Sequence, residues 1–155
     1  CFEDLFDDAG SNSIQYKGHL VVLADQFPIK DGDLLEMQIE KTNSQYKQGF
    51  SVDIQGSCQL DGKYYNKGKG VKMIFWEDTI PKAVKLKVFT KQEYVWVQNF
   101  WEDVNHTNTV YIDKAHNGAA MIVEEIPNGR RYRCNDGEPD DDFDDIVFTI
   151  TRINE

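Results

Sequence analysis

The 155 residues contain no apolar run approaching the ~18 to 20 that a membrane-crossing helix needs. The longest, Leu20 to Ala24, is the length of a strand, and no transmembrane segment is expected. Basic residues are also scarce: 17 Lys and Arg stand against 27 Asp and Glu, a net charge of −10. Nucleic acid needs clustered cations to meet its phosphates, and the nearest such group, Arg130, Arg131 and Arg133, runs into an acidic stretch. Nucleic acid is therefore not an expected partner, and an anionic membrane is disfavoured on the same ground. A neutral ligand, a cation or a basic protein remains open.

Catalytic motifs are missing as well. The three histidines, His19, His106 and His116, have no metal-ligand spacing, and there is no Gly-x-Ser-x-Gly, phosphate loop or His-Glu-x-x-His. A glycosidase needs two converging carboxylates, for which Glu102 with Asp103 and Glu124 with Glu125 are the adjacent candidates. Neighbours on a strand point to opposite faces, so neither pair converges by itself. The expectation is a non-enzymatic protein.

Cysteine is sparse and odd in number: Cys1, Cys58 and Cys134 match no zinc pattern. Two small buried side chains, or a Cys58–Cys134 bridge in an exported chain, are both consistent with the count. Cys1 at the head of an acidic stretch is the form of a processed, lipid-anchored bacterial lipoprotein, although a chain cut at that point looks the same. The expected setting is secreted or at the cell surface, as part of a larger secreted protein.

Helical periodicity is hard to find. Asp33 to Lys41 is the best candidate, and its Leu35, Met37 and Ile39 fit an alternating strand at least as well. Period-two patterns then recur. Phe50, Val52 and Ile54 alternate with polar residues, as do Val84, Leu86 and Val88, while Val71, Met73 and Phe75 alternate with Lys72, Ile74 and Trp76. Further candidates are 19–24, 94–101, 109–113, 119–125, 130–134 and 146–153. That makes about ten short strands, punctuated by Asp-Gly and Asn-Gly turns. The expected fold class is all-β, an antiparallel two-sheet β-sandwich of jelly-roll-like kind. Residues 16–155 form its single domain, and 1–15 read as an acidic, loosely attached N-terminal segment.

The aromatics carry the functional signal. In the run from Tyr94 to Glu102, Val95 and Val97 share one strand face, and Tyr94, Trp96 and Gln98 share the other. With the valines inward, a tyrosine, a tryptophan and an amide face solvent, a surface suited to the apolar C–H face of a sugar ring rimmed by hydroxyls. The opposite register buries Trp96 and removes the platform. Trp76 emerges outward by the same rule, and Lys85 and Lys87 would add ammonium groups if residues 84–89 lay alongside. Trp101, at the expected end of the strand, is a candidate for a rim site. Tyr64 and Tyr65 fall in an expected turn and matter only as neighbours of Trp96 or Trp101.

Residues 135–145 hold seven carboxylates in eleven positions, a composition that suits the many oxygen ligands of calcium and also suits a solvated acidic turn. Asp136, Asp140, Asp142, Asp144 and Asp145 are the candidate metal ligands. Within the run, Asp142-Phe143-Asp144-Asp145-Ile146-Val147-Phe148 resembles the Asp-Phe-Asn-Asp-x-Val-Phe stretch of calcium-binding β-sandwich domains in bacterial surface proteins. That resemblance implies Asp142, Asp144 and Asp145 as ligands, with Phe143 and Phe148 packing beneath. Asp144 stands where the pattern has Asn, and the match covers only some ten residues. The architecture as a whole resembles jelly-roll carbohydrate-binding modules. Two functions follow as expectations: a calcium-stabilised module binding a polysaccharide or glycan, or an adhesin, assembly or inhibitor domain that meets a basic protein through its acidic surface.

Overall fold

A computed structural model describes residues 13–104, 110–113, 120–136 and 143–154. Alternating sequence becomes strand throughout, and fourteen strands are formed among the described residues. They are β1 (Ser13–Tyr16), β2 (His19–Val22), β3 (Asp25–Pro28), β4 (Leu34–Thr42), β5 (Gln48–Ile54), β6 (Gly56–Leu60) and β7 (Lys63–Tyr65). The chain continues through β8 (Val71–Trp76), β9 (Val84–Thr90), β10 (Tyr94–Val104), β11 (Val110–Asp113), β12 (Ala120–Ile126), β13 (Gly129–Asn135) and β14 (Ile146–Ile153).

Two antiparallel sheets result. One runs β1-β2-β12-β13-β14-β4-β9-β6-β7 across nine strands, and the other runs β11-β10-β5-β8 with β3 also paired to β10. Their inner faces supply one continuous apolar core. Phe50, Val52, Ile54, Val71, Phe75, Val95 and Val97 come from the smaller sheet, and Leu35, Met37, Val84, Leu86, Val88, Phe148 and Ile150 from the larger. Phe50 and Phe148 stack across the layers, ring centroids 4.1 Å apart and nearly parallel. The alternation of β5, β8, β9 and β10 is thus the register expected from sequence.

Four strands exceed the ten expected: β1, β3, β6 and β7. Each is three to five residues long, and none carries a clear apolar alternation. Residues 13–15 lie in β1, so the N-terminal segment gives way to sheet before residue 16; residues 1–12 lie outside the described ones. Tyr64 and Tyr65 belong to β7 rather than to a turn. The turn itself is Asp61-Gly62, at φ 50 and 79, the left-handed pair that a two-residue hairpin requires.

Two further expectations need correcting. Strand β9 pairs with β4 and β6 in the larger sheet, so Lys85 and Lys87 do not lie beside β10. Cys58 and Cys134 are both free and buried, four strand steps apart in the sheet order, roughly 19 Å at ~4.8 Å per step. No bridge joins them, and burial pushes both thiols up from their ordinary range.

Candidate functional site

Three adjacent strands build the outer face of the smaller sheet. β10 lies beside β5, and β5 beside β8, so side chains line up in rows across the face. One row holds Trp96, Asp53 and Lys72, with Gln26 of β3 on the far edge of β10. The next holds Gln98, Ser51 and Ile74. The last holds Phe100, Gly49 and Trp76.

Burial follows the alternation. Val95 and Val97 are 1% and 0% exposed, whereas Tyr94, Trp96 and Gln98 are half-buried. Tyr94 and Trp96 meet edge to face, centroids 5.8 Å apart at 83°. Trp76 and Phe100 make a second such pair at 4.8 Å and 80°. Gly49 lies between them because nothing larger fits. A Cβ there would come within 2.9 Å of Cε3 of Trp76 and 3.0 Å of Cε2 of Phe100. Lys47 sits 4.6 Å from the Trp76 ring centroid and is itself held by Glu102 at 3.0 Å and Asp78 at 3.5 Å. Two strand steps and four residues separate the two tryptophans, about 16 Å at ~4.8 Å per step and ~3.3 Å per residue. The ammonium on this face is therefore that of Lys72 and Lys47.

Trp101 does not join this face. β10 continues to Val104, and the alternation that turns Val95 and Val97 inward turns Asn99 and Trp101 inward with them. Trp101 is fully buried, so it cannot form a rim site. Tyr64 is exposed, but on the edge strand of the other sheet, where its hydroxyl donates to Ser57 Oγ at 2.8 Å. Tyr65 packs partly against the main core. Neither neighbours Trp96.

Of the proposed metal ligands, Asp140 and Asp142 lie outside the described residues. Asp136 and Asp145 are brought together at one end of the sandwich interior, 0% and 5% exposed. The Asp136 backbone N–H donates to Asp145 Oδ2 at 2.9 Å, and Asp136 Oδ2 accepts from Ser44 Oγ and from Gln48 Nε2. Asn99 donates to the Asn135 carbonyl at 2.9 Å, closing a polar end to an otherwise apolar core. Asp144 turns away, to Lys41 and Asn43, both 3.1 Å from its Oδ2. Phe143 and Phe148 do not pack together beneath this segment. Phe148 is in the main core, and Phe143 covers a small cluster with Val21, Ala120 and Ile122. Among the described residues no three His, Cys, Asp or Glu side chains converge as a metal set.

Asp144 makes a testable contribution to acid stability. Burial disfavours its charged form, but the hydrogen bonds from Asn43 and Lys41 outweigh that and hold the carboxyl below its usual range. A depressed folded pKa gives stability that is complete above the unfolded value, near 4, and lost as pH falls through the folded one. Asp144→Asn, melted with chelator present, should therefore lose less stability than the wild type between about pH 4 and pH 2. Parallel melting curves for the two proteins over that range would contradict the assignment.

Glu102, Glu124 and Glu125 are engaged by Lys47, Arg133 and Arg130 respectively, and no two of them are paired with each other. No helix is long and apolar enough to cross a membrane among the described residues. Comparison with family models, curated proteins and solved structures finds no match to this chain. The function must be argued from the site alone.

Proposed function

We propose that the chain is a non-catalytic carbohydrate-binding module of an exported or cell-surface protein, and that the outer face of β8, β5 and β10 binds a polysaccharide or glycan. One observation carries the reading. Trp96 and Trp76 emerge on the same sheet face, and the positions between and beside them are Gln98, Ser51, Asp53, Lys72 and Gln26. Aromatic faces favour the C–H side of a sugar, and the interleaved amide and charged groups offer partners to its hydroxyls, whereas Ser51 is buried.

A protein-binding domain draws support from the net charge of −10, which would speed association with a basic partner. The same face speaks against it as the docking surface. Among the described residues the large exposed hydrophobics are Leu20, Tyr64 and Ile74, of which only Ile74 belongs here, so the described rings do not run into a broad apolar patch. A glycan-array screen of the folded protein tests the reading. Selective retention of one polysaccharide class is the expected result. Binding to no glycan, with recovery of a specific basic protein, overturns it in favour of the second reading.

Calcium is proposed as a stabilising ion at the Asp136–Asp145 segment, remote from the aromatic face. One feature supports it: buried Asp136 and Asp145 lie side by side, the Asp136 N–H donating to Asp145 Oδ2. An ion that binds only the folded state adds about 2.7 kcal/mol at a hundredfold excess over Kd, equivalent to a rise in Tm of roughly 5 to 10 °C for a chain of this size. Melting that is unchanged by calcium or by chelator would remove the ion from the account.

A further inference from the structure

The larger sheet has an outer cavity that the glycan reading leaves unused. β1, β2, β12 and β13 lie side by side at its end, with Tyr16 opposite His19, Val21 opposite Ile122, and Ile122 opposite Arg133. These side chains face away from the core, because Val22, Met121 and Cys134 occupy the inward positions. Tyr16, Lys17, His19, Ile122, Glu124, Arg133 and Phe143 line a cavity of about 470 Å³. That falls within the usual range of small-molecule sites, roughly 300–1,000 Å³.

Two properties of the lining define what it takes. The walls of Tyr16, Ile122 and Phe143 are apolar and partly aromatic. Phe143 is fixed there at φ 51, an uncommon backbone state for a bulky residue, with its N–H donating to Asn135 Oδ1 at 2.8 Å. The second property is a guanidinium at the cavity wall. Among the described lining residues the fixed charges are Lys17, Arg133 and one carboxylate, Glu124, which accepts from Arg133 Nε at 2.8 Å. That bond uses one corner of the guanidinium. The two terminal nitrogens make no hydrogen bond among the described residues, and the side chain is 43% exposed. A planar guanidinium with an open edge grips a carboxylate through two parallel hydrogen bonds.

We propose that this cavity is a second binding site, independent of the aromatic face, for a small ring compound bearing a carboxylate: the ring lies against the apolar part of the wall, and the carboxylate meets Arg133. Two sources share that chemistry, an acidic sugar and an aromatic acid. NMR titration of the wild-type protein with sodium glucuronate and, separately, with sodium benzoate tests the site, with glucose as the uncharged control. The expected result is that at least one acid shifts the resonances of His19, Ile122 and Phe143, and that glucose does not. The acid that binds more tightly identifies the source. Arg133→Gln should weaken that binding at least tenfold, Arg133→Lys should restore only part of it, and Trp96→Ala should leave it unchanged. The inference is overturned if neither acid shifts these residues, if glucose shifts them equally, or if Arg133→Gln binds as tightly as wild type. Because shift mapping on the wild type locates the site by itself, an unfolded variant does not protect the proposal.

Discussion

Trp96→Ala should remove most glycan binding and leave the fold intact. The side chain is half-buried at the outer face, whereas its neighbours Val95 and Val97 carry the core contacts of that segment. Truncating a stacked ring at the centre of a binding surface costs roughly 2 kcal/mol or more, about thirtyfold in Kd. Tyr94→Ala and Gln98→Ala should weaken binding by smaller amounts, because Tyr94 braces the Trp96 ring edge to face and Gln98 lies in the adjoining row. Trp76→Ala should also weaken it, and more for a long chain than for a short oligosaccharide, because a short ligand cannot span about 16 Å between the two rings. Calorimetric titration of each folded variant is the measurement. Full affinity in Trp96→Ala would displace the site from β10.

The largest stability effect is expected at Asp25, a buried residue of β3 paired with Val97. Asp25 of β3 is 8% exposed and accepts from Arg130 Nη1 at 2.7 Å and from the Tyr132 hydroxyl at 2.6 Å. Both partners are on β13, so this cluster ties the smaller sheet to the larger one. Burial and the Asp25 charge push the Tyr132 hydroxyl well above its ordinary range, which keeps it a neutral donor. For Arg130, burial works to lower the pKa and the bond to Asp25 outweighs it, so the guanidinium stays charged. Asp25→Ala strands the buried Tyr132 hydroxyl and leaves the Arg130 guanidinium with only Glu125 and the Gln26 carbonyl, and a loss of about 3 kcal/mol is expected in denaturant unfolding. Tyr132→Phe removes a hydrogen bond without stranding a charge, and about 1 to 2 kcal/mol is expected. Near-equal losses in the two variants would show that the ion pair contributes little.

These two residues mark what sequence pattern can and cannot deliver. The alternation of β10 was readable because a strand has only two faces, and placing Val95 and Val97 inward fixes Trp96 outward. Carried four residues past Val97, the same rule would have placed Trp101 inside. The polar Glu102-Asp103 pair suggested that the strand stopped there, but hydrogen bonding to β5 and β11 carries it on to Val104. The joint appearance of Trp76 and Trp96 on one face was not readable. It depends on β5 lying between β8 and β10, pairings of residues 17 to 27 and 43 to 53 apart that no local pattern encodes. The same holds for Asp25. Its strand is four residues long and ends in proline, so neither β3 nor its partner Tyr132 announces itself. The acidic segment shows the limit from the other side. Its composition suggested one cluster of ligands, but Asp144 turns to Lys41 while Asp136 and Asp145 are buried.

The most direct test of the glycan-binding face uses the three indole N–H signals of the protein. Trp76 and Trp96 are on the proposed surface, and Trp101 is sealed in the interior, so one spectrum holds two reporters and a control. On titration with the best glycan from the array, the account predicts saturable shifts of the Trp96 and Trp76 signals and a stationary Trp101. Binding that leaves the Trp96 and Trp76 signals unmoved would contradict it.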